Sequence, residues 1–448
     1  MEPITEEKST LEIIEEFLEK EEYPILKNLL VDLHPADIAE VMTRMGREEQ
    51  VKIMNLLQKE QAGEVLVELD SPVRTSLFDT LGENWLVPLI SELDSDDAAD
   101  IINELDKEDA RRVMAAMPWE DFRDLETLLR HEEDTAGGIM ALEIVAVEQS
   151  KTAQQALDTL RKQSQEVDDV YNIYVVDKQN VLVGVLTLKE LVLAHPNSKL
   201  KDIMETEPIV VEERMDQEEV ANLFSKYSLV AAPVVNLHGR LVGRITVDDV
   251  LHVVEEETSE DFNKMAGIQD EEIHERSAFK KMGVRLPWLM IAFVGEMISA
   301  FVLKNFEMTA QKISMAVFFI PLVMAMGGNM GVQSAIILLR GLATGDIRLL
   351  DSGQRILREA AVGFLNGLVI SILLGTIIFV GWHDLKYAIT IGIALLVVLV
   401  NATLFGTMIP LFLKKVGIDP AIATGPFITT LNDVFGLLVY FAIITLSL

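Results

Sequence analysis

Five apolar stretches crowd the last third of this 448-residue chain, at about 286–303, 313–339, 360–382, 387–413 and 421–448. Each reaches or approaches the roughly 20 residues needed to cross a hydrocarbon core. Five in succession do not fit the core of a soluble domain, so the sequence predicts a five-helix transmembrane domain over residues 284–448. Loop charge orients it. Lys280, Lys281 and Arg285 precede the first stretch, Arg340, Arg348, Arg355 and Arg358 separate the second from the third, and Lys414 and Lys415 follow the fourth. The opposite side carries only Lys304, Lys312 and Lys386. The basic side is expected inside, which makes the N-terminus cytosolic and, for an odd number of spans, the C-terminus external. The charged start, Met1 to Lys8, lacks the basic flank and apolar run of a secretory signal. An odd bundle is not two inverted halves, so a pore shared between two copies, as in a homodimer, is the expected arrangement.

The formal charge of −33 is placed unevenly. From Leu286 onward eight acidic residues face nine basic ones, so the spans are near +1 and about −34 remains upstream. Such a field repels nucleic acid and anionic lipid surfaces and attracts cations. The chain has no cysteine, which excludes disulfides and thiolate sites and leaves oxygen and imidazole as metal ligands. It also has no Walker-type loop, and an enzyme is not expected.

Polar groups inside spans are costly and mark the place to look for function. The second stretch holds Pro321 and then Met326-Gly-Gly-Asn-Met-Gly-Val-Gln333, whose glycines permit close helix approach while Asn329 and Gln333 offer amide oxygens. Gly and Pro together are expected to free backbone carbonyls there. The third stretch has Asn366, the fourth Asn401 and Thr403, and the fifth Pro426 followed by Thr429, Thr430, Asn432 and Asp433. Asp433 suits either a helix–helix hydrogen bond or an ion site in a pore. Glu296 in the first stretch suits pairing with a neighbouring helix or a place near a pore wall.

Residues 133–257 contain a repeat with a spacing near 60: Gly138-Ile-Met-Ala-Leu-Glu matches Asp202-Ile-Met-Glu-Thr-Glu, and Asn180-Val-Leu-Val-Gly-Val-Leu-Thr matches Gly239-Arg-Leu-Val-Gly-Arg-Ile-Thr. Each unit reads as a turn, an apolar strand and a helix start. They resemble a tandem pair of α/β CBS domains, a module that senses adenine nucleotides and other small ligands. Thr246 with Asp249 would then meet a ribose, with ATP as a regulator, or would simply cap the following helix. The first unit has Thr187 with Glu190 instead. Residues 1–132 show short amphipathic helical segments punctuated by Leu33-His-Pro, Leu69-Asp-Ser-Pro and Leu93-Asp-Ser, which predicts an all-α superhelical N-domain with Asp and Ser at the caps. Acidic clusters stand at Asp94, Asp96 and Asp97; at Glu212, Glu213 and Asp216; at Asp248 and Asp249; and at Glu255 to Glu257. They are solvated faces or cation sites. Residues 258–283 read as a charged helix leading into the first span.

This order of modules, with Pro321-Leu-Val-Met-Ala-Met-Gly-Gly-Asn-Met-Gly-Val-Gln and Thr429-Thr-Leu-Asn-Asp-Val-Phe-Gly, resembles the MgtE family of magnesium channels over essentially the whole chain. The resemblance implies a homodimer in a bacterial-type cell membrane, a central ion site at Asp433 with Asn329 beside it, and magnesium uptake. It also implies closure by cytosolic Mg2+ held on acids that correspond to Asp96, Asp216, Asp248, Asp249, Glu255, Glu256 and, at the membrane side, Asp419. A carrier of another divalent metal, such as cobalt or manganese, would share these features.

Overall fold

The computed structural model describes residues 10–163, 170–266, 277–312, 314–343, 347, 352–423 and 425–447. Part of the expected connecting helix, residues 267–276, and Arg348 lie outside them. The chain divides into two compact units, Met1–Val254 and Glu255–Leu448.

The first unit opens with ten helices, from α1 (Thr10–Glu19) to α10 (Trp119–Leu128). Among them are α3 (Pro35–Thr43), α5 (Lys59–Glu68), α7 (Glu83–Ile90), α8 (Ser95–Glu104) and α9 (Lys107–Ala116). Packing skips one helix: α3 lies on α5, α5 on α7, α7 on α9, and α8 on α10. That alternation is how short amphipathic helices share one continuous core in a superhelical stack. Their apolar faces meet at Leu26, Ile38, Ile53, Leu66 and Leu77, all fully buried. The punctuating motifs do fall at helix starts, but their chemistry varies. His34 Nδ1 accepts from Ala36 N at 3.3 Å. Asp70 and Asp94 occupy N-cap positions without making a side-chain cap bond, in contrast to Asp106, whose carboxylate accepts from Glu108 N and Asp109 N.

Two small sheets follow: β1 (Ala146–Glu148), β2 (Asn172–Val176) and β3 (Leu182–Thr187), then β4 (Val211–Glu212), β5 (Ala231–Val235) and β6 (Leu241–Thr246). In each, the first strand runs parallel to the second and the second antiparallel to the third, with a bulge at the same place, Val175/Val176 and Val234/Val235. Their helices are α11 (Ala153–Gln163) and α12 (Leu188–Leu193) in the first repeat and α13 (Gln217–Tyr227) and α14 (Val247–Ala266) in the second. The repeats are cross-inserted. Ala141, ahead of the first sheet, bridges to Arg244 of β6, and Glu205, ahead of the second, bridges to Val185 of β3. The repeated Ile-Met pair explains how. Met140 lies against Gly243, and Met204 lies against Gly184, so closely that a Cβ on either glycine would meet sulfur within 2.7 Å.

Among the described residues, the second unit holds five helices long and apolar enough to cross a membrane: α15 (Ala278–Asn305), α16 (Ile320–Ala343), α17 (Ser352–Trp382), α18 (Leu385–Lys415) and α19 (Pro426–Ser447). Four starts differ from the sequence reading, that of the third span because its helix begins at Ser352, ahead of the apolar run. The first span starts at Ala278, because Lys280, Lys281 and Arg285 continue its helix. The second starts at Ile320, after two short helices at Glu307–Lys312 and Ser314–Phe318. The fifth starts at Pro426, after a 3-10 turn at Pro420–Ala423. Pro321 and Pro426 both sit in a first turn, where a missing N–H costs no helical bond. The expectation that Gly and Pro open span two is therefore corrected: α16 is unbroken through Gly327, Gly328 and Gly331.

Those glycines serve close packing instead. Helix α18 is central, packing on α16, α17 and α19. A Cβ at Gly406 of α18 would stand 2.2 Å from the carbonyl oxygen of Gly331 on α16, so the two backbones touch. Nearby hydroxyls are satisfied locally: Thr403 Oγ1 donates to Leu399 O and Thr407 Oγ1 to Thr403 O, each at 2.8 Å. Gly406→Val should force α16 from α18 and destabilise the membrane unit by about 1–3 kcal/mol, as overpacking does. A lower thermal unfolding midpoint in detergent would register it, and an unchanged midpoint would contradict the contact.

Candidate cation pathway and cytosolic acidic cluster

Helices α16 and α19 carry the two polar motifs and lie against each other. Gly328 faces Thr429 Cγ2, and a Cβ at Gly331 would meet the Asn432 amide nitrogen at 1.9 Å. Asn432 is 3% exposed, and neither amide atom has a hydrogen-bond partner within the protomer. One helical step on, Asp433 is half-buried. With Asn329, Gln333, Thr429 and Gly328 it lines an open cavity of about 320 Å³. Ala325, Asn329, Gln333 and Ile336 are all exposed and recur every three or four residues along α16, which makes this one uncovered, partly polar face of the helix. Asp433 and Asn329, both singled out in the sequence, line the same cavity. Asn401 of α18 is not among the cavity's lining residues.

In the first unit, the first turns of α8 and α14 bring carboxylates together. Asp96 is buried, and burial followed by the charges of Asp249, Asp97 and Asp94 holds its carboxyl well above the usual range. Asp97 is pushed up to about 7 by burial and then by Asp249, Asp100, Asp94 and Asp248. Asp249 is raised by burial too, although Thr246 offsets part of it: Oγ1 and N of Thr246 donate to Asp249 Oδ2 at 2.5 and 3.0 Å. The Thr246–Asp249 pair is thus engaged as a helix cap, and Thr187 with Glu190 forms the matching capping box. A cation faces the cluster. Arg244, 5% exposed, reaches Asp94 Oδ2 at 3.4 Å. Among the described residues, no three acidic or imidazole side chains converge closely enough to form a ready ligand set for a metal.

The other acids singled out by sequence are not gathered there. Asp216 is an exposed N-cap of α13, accepting from Glu218 N at 2.9 Å. Glu255 and Glu256 are exposed on α14. Asp419 lies within the second unit, where Oδ1 accepts from Ala421 N at 2.8 Å and Oδ2 accepts from Lys264 Nζ at 2.7 Å. Lys264 also pairs with Glu260, one turn back, at 2.5 Å. Burial alone would lower the Lys264 ammonium, but the two carboxylates outweigh it and raise it. Beside it, burial and then the Asp419 charge raise Asp261. The backbone closes in as well: a Cβ at Gly425, whose φ is +55°, would meet Met265 O at 2.5 Å. The sequence reading did not include Lys264, because its partner is far along the chain.

Comparison with known proteins places these features in a family. The sequence pattern of MgtE, described as a divalent cation transporter, matches residues 320–443; that of the MgtE intracellular N domain matches 33–134; and that of the CBS domain matches 136–196 and 200–256. The magnesium transporter MgtE of Thermus thermophilus is 35% identical over 440 residues, 97% of this chain and 98% of that one. The chain belongs to the MgtE family of magnesium transporters. The Bacillus subtilis magnesium transporter MgtE is 32% identical over 94% of this chain and 93% of its own length. Among solved structures, the cytosolic domain of the Mg2+ channel MgtE in complex with ATP superposes with a TM-score of 0.52 at 36% identity, over 54% of this chain and 98% of that one. A transport family accounts for a chain with a helical N-terminal domain, a CBS pair and five candidate spans.

The raised carboxyls carry a pH signature. Asp96, Asp97 and Asp249 keep protons in the folded state at pH values where the unfolded chain has released them, so the fold binds more protons above about pH 4 and up to about pH 7 for Asp97. Their linked contribution to stability therefore falls as pH rises through that window. In chelator, the full-length protein should unfold at a lower temperature at pH 8 than at pH 5.5. Asp97→Asn should shrink the difference, and an equal difference in both proteins would refute the assignment.

The Lys264–Asp419 ion pair has its own test. Both side chains are about one-third exposed, so the pair contributes modestly to stability. Lys264→Ala should leave the thermal midpoint almost unchanged while speeding amide hydrogen exchange at the C-terminal end of α14, from Asn263 to Ala266. Unchanged exchange there would mean that the pair does not restrain this end of the helix.

Proposed function

We propose that the chain is a magnesium channel built as a homodimer, in which Asp433 and Asn329 bind the passing ion and cytosolic Mg2+ closes the pore. The observation that carries this reading is the cavity at Asp433. It is open on the protomer, four of its eight lining residues, Asn329, Gln333, Thr429 and Asp433, carry a side-chain oxygen, and it lies on helices apolar enough to span a bilayer. A polar face left open inside a membrane calls for water or a second copy against it. A two-fold pore in which α16 and α19 of each copy face the axis satisfies both.

Magnesium sheds water reluctantly and prefers six oxygens in octahedral geometry. The side chains of Asp433, Asn329, Gln333 and Thr429 are suited to holding such an ion by its hydration shell. With α16 intact, these side chains supply the oxygens, in place of the freed carbonyls that the sequence suggested. Inward movement follows the membrane potential, worth about 2.3 kcal/mol per charge per 100 mV and twice that for a divalent ion. The cytosolic unit and N-terminus face the basic, inner side, and the C-terminus the outer side.

Gating rests on the acidic cluster. Burial first, and then the neighbouring charges of Asp249 on Asp96 and Asp97, make these carboxyls hold protons, so an unscreened cluster of charge is costly there. Bound Mg2+ removes that repulsion and favours a compact, closed state. Asp96, Asp248 and Asp249 are the first ligands in this reading, with Glu255, Glu256, Asp216 and Asp419 as outlying acids. The domain boundaries of the sequence reading, 1–132, 133–257, 258–283 and 284–448, serve as the working modules of this switch. ATP is proposed as a second regulator, supported by the similarity to the ATP-bound cytosolic domain. At Thr246 and Asp249 a ribose would have to share the carboxylate that now caps α14.

In proteoliposomes, Asp433→Ala should reduce Mg2+ influx at least tenfold, and influx equal to the unmodified chain would refute the pore. Asp248→Asn with Asp249→Asn should keep currents flowing in patches at millimolar cytosolic Mg2+, and normal inhibition would refute the switch. Competition of Mg2+ flux by Co2+ or Mn2+ tests the alternative cargo.

A further inference from the structure

The first span carries a carboxylate that the pore reading does not use. Helix α15 rests on α19 along a stripe of Gly295, Ser299, Val302 and Phe306, spaced by three or four residues. Phe306 stacks on Phe441 at 5.4 Å between ring centroids. Higher on the stripe the contact is closer. A Cβ at Gly295 would stand 1.7 Å from Thr430 Cγ2, so only glycine permits this approach and the register is fixed. Glu296 follows Gly295, and Asp433 lies three residues, almost one turn, beyond Thr430. The register therefore sets the Glu296 carboxyl beside Asp433 across the α15–α19 contact.

The remaining surroundings of Glu296 are apolar. Phe293, Val294, Met297 and Phe301 are all exposed on the protomer, and Glu296 is exposed among them. A carboxylate cannot face lipid at that depth without water, a proton or a counter-ion. Two carboxylates in contact add a second requirement, since like charges so close do not both ionise unless something positive lies between them. The cavity that reaches Asp433 gives a cation access to one member of the pair.

We propose that Glu296 is a second carboxylate of the ion pathway and determines its preference for divalent over monovalent cations. The proposal rests on the reading of Asp433 as a pore residue. Its chemistry is charge matching: one divalent ion neutralises both carboxylates, whereas one monovalent ion leaves a net negative charge in a low-dielectric setting. If Glu296 only shared a proton with Asp433 as a structural bond, a glutamine in its place would serve equally well.

Glu296→Gln, Glu296→Asp and Asp433→Asn, each in the full chain reconstituted in proteoliposomes, separate these possibilities. Flux is read for Mg2+ alone and for Mg2+ against excess Na+, and size-exclusion profiles report folding. Glu296→Gln should remain monodisperse and lose about tenfold or more in Mg2+ over Na+ selectivity, equivalent to about 1.4 kcal/mol. Glu296→Asp should recover part of it. If Asp433→Asn is inactive while Glu296→Gln keeps both flux and selectivity, Glu296 is structural and the proposal is overturned. It is also overturned if both Glu296 variants aggregate, which would assign the residue to packing. If Asp433→Asn carries Mg2+ like the unmodified chain, the pore reading itself fails, which is a distinct result.

Discussion

A charged oxygen inside a hydrocarbon layer must be met by something, and the membrane unit is arranged around that requirement. Asp433 lines a partly polar cavity and lies close to Glu296, and Asn432 beside it is sealed into a helix crossing. Small residues make the arrangement possible. Gly331 and Gly406 let α16 and α18 touch through their backbones, and Gly295 lets α15 settle onto Thr430. Larger residues would separate the helices, and the polar side chains would lose the distances at which they act on one another.

The first unit meets the same electrostatic problem. Carboxylates that repel across α8 and α14 are held in place by packing, by the Thr246 bonds to Asp249 and by Arg244. A compact fold that contains such repulsion stores it as sensitivity to anything positive. In the proposed switch, proton and divalent ion act on one set of groups, which would link response to pH and response to metal without a separate sensor. Lys264 shows the opposite solution at the other end of α14, where the chain supplies its own cation to Asp419.

Local chemistry was legible in the sequence and pairing was not. The apolar stretches announced all five spans, and the Ile-Met and Val-Gly echoes announced two sheets of equal topology, down to matching bulges. Asp433 and Asn329 stood out because a polar side chain in an apolar run costs free energy in a bilayer unless something there makes use of it. Helix starts at Ile320 and Pro426 were misplaced because hydropathy continues across the turns before them, while proline marks the first turn only once geometry is known. The glycines of α16 suggested an opened helix, yet what they accommodate is a backbone contributed by α18, far along the chain. For the same reason Lys264, and the contact between Glu296 and Asp433, could not be read from neighbours in sequence.

The cross-insertion of the two repeats bears on how the chain is made. Ala141 has to wait for Arg244, so the segment that opens the first repeat cannot reach its final place until the last strand of the second has been synthesised. The first repeat emerging alone from a ribosome thus keeps an unfilled edge, and neither repeat can be removed without leaving the other incomplete. Each copy is completed only by the other.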